Sequence, residues 1–300
     1  MRFTVESWQP EYGAASGAEL VDSTENVDPE VELPAAGWRP LTPEVSPAED
    51  ILFVDGVRRV DANLWIDRDG KFPAFALAAT FAAGAVQCNG RAEIVAAEVK
   101  RGVFTSADAE PIETGTGTYE VMTTAGSTSE ELWLGIQERM GDLEGRVAAE
   151  FQESALVVVD GPLSHRRHVE GAVGYVKTQH VQYLPDELWV KLTELPVGSR
   201  SPLFLTSTSW QRFSWYLRLS NGMGPAAGLA RCEVKADMAV ADAARLANLV
   251  TATLPRYASE RHKDPRAPQN LYPIGGLERE LRRRLGDRDL ALRSLRTAAA

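Results

Sequence analysis

Cysteine is nearly absent from this 300-residue chain, which carries only Cys88 and Cys232. Each sits inside a strand-like run without CxxC or Cys/His spacing. That argues against a disulfide framework and a zinc site and leaves apolar filling as the expected role. Long hydrophobic runs are lacking too. Stretches such as Ala74 to Val86 are too short or too broken by Gly and polar residues to span a bilayer, and Met1-Arg-Phe-Thr-Val-Glu has no signal-peptide core. No membrane association and a cytoplasmic location are therefore expected. Also missing are Ser-His-Asp spacing, a GxSxG elbow, a GxxxxGK[ST] loop and a GxGxxG after a strand, so acyl hydrolase, P-loop ATPase and Rossmann readings lack support.

What the chain holds in excess is acid, with a net charge of −10, and the excess is local. Residues 1 to 50 carry 11 acidic and 2 basic residues, a net of −9; the other 250 carry 31 and 30, a net of −1. The body is therefore neutral, and charge does not exclude a nucleic-acid partner for it. From Glu278 to Ala300, seven arginines stand against four acids, a surplus that fits either phosphate contact or a solvated helical face.

Two regions follow. Residues 1 to 50 read as a short strand, Arg2 to Trp8, and an acidic, Pro-rich loop or arm with little core. Residues 51 to 300 read as one α/β domain, large enough to bury a substantial core. Ile51 to Gly56, Val60 to Ile66, Ala74 to Cys88 and Glu93 to Phe104 predict strands in a meander. Ser127-Thr-Ser-Glu-Glu opens a helix over 129 to 152, whose Leu132, Ile136, Met140, Leu143, Val147 and Phe151 recur at helical spacing. Ala155 to Asp160 is a short buried strand. Strands at Gly171 to Thr178, Leu203 to Thr206, Phe213 to Leu219 and Leu229 to Lys235 follow, with helices at Pro185 to Leu195, Val240 to Leu254 and Gly276 to Leu285. Meander, helix, then further strands and helices is the element order of an RNase H-like mixed sheet with flanking helices and an added β/α C-terminal part.

Two apolar runs end alike, Leu52-Phe-Val-Asp55-Gly56 and Val157-Val-Val-Asp160-Gly161. A lone Asp-Gly is first of all a turn signal, since Gly accepts positive φ and Asp accepts local hydrogen bonds. Two on neighbouring central strands could aim their carboxylates at one edge, where like charges need a cation, and hard oxygen ligands suit Mg²⁺ or Mn²⁺. Among Glu130, Glu131, Glu138, Asp142, Glu144 and Glu150, periodicity selects Glu144, four after Met140 and three before Val147, as the helix's third carboxylate. The bland alternative is that Glu144 snorkels at the edge of the apolar stripe.

Phe53-Val-Asp55-Gly56 followed by Arg58-Arg59, the helix with Glu144, and Val158-Val-Asp160-Gly161-Pro162-Leu163 followed by Gly174-Tyr-Val-Lys177 together resemble the NurA nuclease pattern, over roughly Ile51 to Gly286. The resemblance implies an RNase H-like core, hydrolysis of DNA as exonuclease or endonuclease with Mn²⁺ or Mg²⁺, a homodimer, and a HerA-type hexameric ATPase as partner in DNA-end processing. Carried over, Asp55, Glu144 and Asp160 are the metal-binding carboxylates, with Lys177 facing the same site. The family's further ligand, often a His after a Pro-containing turn, has no counterpart in Asn270-Leu-Tyr-Pro273-Ile-Gly-Gly-Leu-Glu278, where Glu278 is the nearest substitute. The family's tyrosine matches Tyr175 or Tyr216. DNA is expected across Arg58, Arg59, Arg166 and Arg167. Ser164-His-Arg-Arg-His reads as a basic surface loop that is a poor place for a cation, His180 as a border residue or a structural one, and His262 as part of a polar loop. Two other readings stand beside the nuclease: a catalytically weak RNase H-like adaptor docked on a translocase, and a binding module whose Asp-Gly motifs are only turns.

Overall fold

In the computed structural model, which describes residues 21–22, 26–68, 71–151, 153–164, 166, 168–178, 181–221, 226–260 and 262–299, the chain is α/β with a large mixed sheet of parallel and antiparallel strands. The expected strand Arg2 to Trp8 lies outside the described residues. Short strands β1 (Val21–Asp22) and β2 (Asn26–Asp28) precede three long ones, β3 (Asp50–Arg68), β4 (Lys71–Asn89) and β5 (Arg91–Thr105). Then come β6 (Ile112–Thr114), β7 (Gly117–Thr123), α1 (Ser129–Ala149), β8 (Leu156–Asp160), β9 (Val173–Val176), β10 (Val181–Gln182) and α2 (Asp186–Thr193). Strands β11 (Phe204–Ser207), β12 (Gln211–Arg218) and β13 (Leu229–Lys235) lead into α3 (Val240–Thr253), α4 (Tyr272–Arg284) and α5 (Arg288–Ala298). No described helix is long and apolar enough to cross a membrane.

The chain forms two units, one of Met1–Phe53, Gln87–Ala92 and Gln152–Gly275, the other of Val54–Val86, Glu93–Phe151 and Gly276–Ala300. In the first, strands run in the order β2, β11, β12, β13, β9, β8. β8 and β9 are parallel, and β9, β13, β12, β11 and β2 pair antiparallel in turn. Leu188, Leu192 and Leu195 of the α2 region pack with Phe204, Tyr216 and Trp38. The acidic segment, expected as a loop or arm with little core, is thus tied down over its described part: β2 joins the sheet, Trp38 is buried, and Glu32 takes both terminal nitrogens of the buried Arg200 at 2.7 and 2.8 Å. Arg200 Nε donates to Asn248 Oδ1 at 2.7 Å. An interior guanidinium needs this pairing, and the N-terminal acid supplies it.

In the second unit the order is β3, β4, β5, β7, β6, a meander followed by a parallel β5–β7 pair and an antiparallel β7–β6 pair. β4 is buried on both faces over Ala76–Ala79 and Phe81–Ala83, as suits a strand covered by layers on either side. α1 begins where the sequence predicts, with a reciprocal cap: Glu131 N–H donates to Thr128 Oγ1 at 3.3 Å and Thr128 N–H to Glu131 Oε2 at 3.0 Å. Its buried face includes Leu132, Ile136, Met140, Leu143 and Val147. Several features depart from expectation: β6 and β7 lie where no strand was read, and the runs Ile51 to Gly56 and Val60 to Ile66 are one strand, β3. α4 starts at Tyr272, and a further helix, α5, closes the chain where only two terminal helices were read. Only Ala291 and Leu295 of α5 are buried, too thin a stripe to mark a helix by periodicity.

Asp61 has a fully buried side chain and accepts from Thr80 Oγ1 at 2.5 Å, Tyr119 OH at 2.9 Å and Arg59 Nε at 2.7 Å. Burial and the Asp61 charge push the Tyr119 phenol up to about 12. Both cysteines are free and buried, as expected of apolar filling; burial raises both thiols, Cys88 to about 11.

Replacing Glu32 by Ala leaves Arg200 buried without its carboxylate and is expected to cost about 3 kcal/mol or more in urea unfolding. A loss under about 1 kcal/mol, the value of an exposed pair, counts against the segment as part of the first unit's core. Tyr119 binds its proton more tightly folded than unfolded, so its contribution is complete below pH 10 and is lost as pH rises towards 12. Stability of the wild type should therefore fall more steeply over that window than that of Tyr119→Phe.

Candidate functional site

In the first unit, Asp160 ends β8 and stands in register with Tyr175 of the parallel strand β9. Lys177, one residue beyond β9, brings Nζ to 2.6 Å from Asp160 Oδ2 and 2.7 Å from Asn270 Oδ1. Asn270 is fully buried and donates through Nδ2 to Asp264 Oδ2 at 2.6 Å; Asp264 Oδ1 accepts the Arg266 N–H at 2.8 Å. Tyr175 OH donates to the Gln269 carbonyl at 2.6 Å, and burial raises its pKa far above that of a free phenol. Strand ends and the loop 264–270 thus meet around one carboxylate and one ammonium. Asp160 and Lys177 keep 20% and 11% of their side-chain surface, enough for a ligand to reach them.

The turn after Asp160 is held from below. Gly161 has φ 91°, open to glycine, and its N–H donates to the Tyr175 carbonyl at 2.8 Å. Two residues on, the Leu163 N–H donates to Glu233 Oε1 at 2.7 Å, and Glu233 carries Arg231 at 2.5 Å and Arg212 at 3.3 Å. Here the Asp-Gly pair is a turn that also presents a carboxylate.

The other Asp-Gly pair differs. Asp55 and Gly56 lie inside β3, which runs on to Arg68, so the expected strand end is absent, and Gly56 has no positive φ. Gly56 instead makes room for a helix: a Cβ built on it would stand 2.5 Å from Glu144 Oε1 and 2.9 Å from Met140 Cγ. Arg58, two residues along the same face, sits with its guanidinium 5.9 Å from the Trp133 ring. Burial lowers its pKa and the charge of Glu144 opposes that shift. Successive side chains of a strand point to opposite faces. Gly56 and Arg58 face α1; Asp55 therefore points the other way, with Arg59 and Asp61.

Glu144 is buried on the apolar face of α1, as its spacing predicts, yet alternation separates it from Asp55 within this unit. The face shared by Asp55 and Arg59 is covered by α4. Arg59 donates to the Leu285 and Gly286 carbonyls at the C-terminal end of α4, and a Cβ on Gly84 of β4 would meet Leu277 and Leu281 of α4. Glu278 is buried on α4 beside Leu277, and its Oε1 accepts Arg282 at 2.7 Å.

Two of the basic residues assigned to DNA, Arg59 and Arg166, have internal duties. Arg59 caps α4, and Arg166 is buried with Nη1 donating to the Pro162 carbonyl at 2.7 Å. Arg167, His165 and His180 lie outside the described residues. His168 and His262 are exposed. Of the two candidate tyrosines, Tyr175 borders the Asp160 cluster, whereas Tyr216 belongs to the apolar core. Sequence reasoning missed Asn270 and Asp264; an uncharged Asn at the start of a Pro-containing turn carries no chemical signal until the loop closes on Lys177. Among the described residues, no group of three or more His, Cys, Asp or Glu side chains is placed to hold a metal ion.

Compared with known proteins, the chain matches no protein-family model and no curated protein.

Gly56→Ala forces Glu144 and Met140 off their positions and is expected to cost about 1–3 kcal/mol in urea unfolding. An unchanged midpoint would show that α1 shifts freely on β3.

Proposed function

We propose that this chain is a NurA-like, RNase H-like nuclease that hydrolyses DNA with Mg²⁺ or Mn²⁺, in the cytoplasm, beside a HerA-type ATPase. The observation that carries the reading is the pairing of Asp160 with Lys177 at the carboxyl ends of two parallel strands, the place where open α/β sheets bind their ligands. The ordered motifs support it, as do a meander in one unit and the parallel pair β8 and β9 in the other. Homodimer and translocase partner rest on the motif likeness alone.

The donor chemistry fits such an ion. In the first unit Asp160 offers a hard carboxylate, whose Oδ1 accepts no hydrogen bond among the described residues. Mg²⁺ is commonly held by one or two carboxylates with waters and substrate phosphates, so a three-ligand protein cage is not required. When bound, the ion lowers the pKa of a water and stabilises charge on phosphate oxygens. Lys177 adds a fixed positive charge towards a phosphodiester, and the turn Gly161-Pro162-Leu163, clamped by Glu233, keeps Asp160 in place. Glu144 has a structural role in this scheme, as the buried charge partner of Arg58.

A weak or inactive adaptor is the second reading, favoured by the lack of a three-carboxylate group among the described residues. Linear DNA incubated with purified protein and Mn²⁺ decides between them. Cleavage should fall at least 100-fold in Asp55→Asn and Asp160→Asn, and less than fivefold in a folded Glu144→Gln. Absence of cleavage by the wild type supports the adaptor; equal loss in all three variants restores Glu144 to the site.

A further inference from the structure

Lys177 carries a largely shielded ammonium with two partners of different kinds. One is the charge of Asp160, the other the amide oxygen of Asn270. An amide can present either oxygen or nitrogen, and Asp264 removes that freedom: its carboxylate accepts only, so Asn270 must turn Nδ2 to Asp264 and Oδ1 to Lys177. Asp264 is itself held by the Arg266 backbone N–H and flanked by Arg266 Nε at 3.5 Å. The loop 264–270 is anchored to β9 through Tyr175 OH and the Gln269 carbonyl. Four groups in a row, each with its donor and acceptor sense fixed, end on the single oxygen Asp160 Oδ2.

We propose that Asn270, oriented by Asp264, is a positioning residue that holds the Lys177 ammonium on Asp160, so that a divalent cation reaching Asp160 competes with that ammonium. The competition rests on the metal-dependent reading above; the positioning does not. The chain carries its own monovalent counter-ion for Asp160, and the Asn270 amide decides how firmly that ion is held. An ammonium 2.6 Å from a carboxylate oxygen raises the positive potential that a divalent cation must meet. Lys177 is thus placed to keep Asp160 neutralised without metal and, once displaced from Oδ2, to remain within reach through Asn270.

The test uses the full chain at one fixed pH. Acetylation of individual lysines by acetic anhydride is followed by mass spectrometry in wild type, Asn270→Ala and Asn270→Leu, the Leu variant avoiding a cavity; circular dichroism checks folding. Lys177 should react at least fivefold faster in both variants, with other lysines unchanged. Unchanged Lys177 reactivity in a folded variant overturns the positioning role. Free Mn²⁺ is then titrated by electron paramagnetic resonance against wild type and Lys177→Met, which needs no change at Asn270. The Met variant should bind Mn²⁺ at least threefold more tightly, and Mn²⁺ should speed Lys177 acetylation in the wild type. Equal or weaker binding by Lys177→Met overturns the competition. No Mn²⁺ binding by either protein overturns the metal reading and the competition together, while acetylation still decides the role of Asn270.

Discussion

Along β3 each side chain faces opposite its neighbours, and this alternation decides which acidic groups can work together. Gly56 and Arg58 turn to α1, where Glu144 is buried against the glycine; Asp55, Arg59 and Asp61 turn to the side of α4. A buried carboxylate is tolerated only with compensating charge or hydrogen bonds, and each face supplies its own. Glu144 has the charge of Arg58 within range, and Asp61 has three donors. What looks in one dimension like a single acidic cluster is two, separated by the thickness of one strand.

The arginines follow a similar logic. Arg59 satisfies the carbonyls that end α4, Arg166 that of Pro162 in the turn after Asp160, Arg218 those at the end of α2, and Arg200 and Arg231 pair with the carboxylates of Glu32 and Glu233. Planar guanidinium groups with five donors are suited to such internal work. A chain with this usage shows less positive surface than its composition implies, and among the α5 residues Arg288, Arg293 and Arg296 are exposed.

Much of the fold was legible where periodicity is strong. The helix over 129 to 152 announced itself through its cap and its apolar spacing, and the same spacing placed Glu144 correctly on the buried face. The β character from Ile51 to Phe104 was equally plain, but the two runs read over Ile51 to Gly56 and Val60 to Ile66 are one strand. Asp55-Gly56 misled, because the signal for a turn and the signal for a close helix approach are both a glycine; only φ and the neighbour across the gap tell them apart. The acidic segment misled for another reason: its charge gives no warning that Glu32 is the partner of an arginine 168 positions away. Lys177 was found through the motif, but Asn270 and Asp264 acquire meaning only from a loop whose path no local pattern encodes.

The alanines of β4 have a consequence of a different kind. Alanine has the strongest intrinsic preference for helix, and a run such as Ala82-Ala83-Gly84-Ala85 would not extend itself in water. It is extended because flanking strands hold its backbone on both edges and covering layers need its small side chains. That segment has no conformation of its own to contribute. A nascent chain gains nothing from β4 until its neighbours are in place, so this strand, flanked on both edges, depends on assembly and does not lead it.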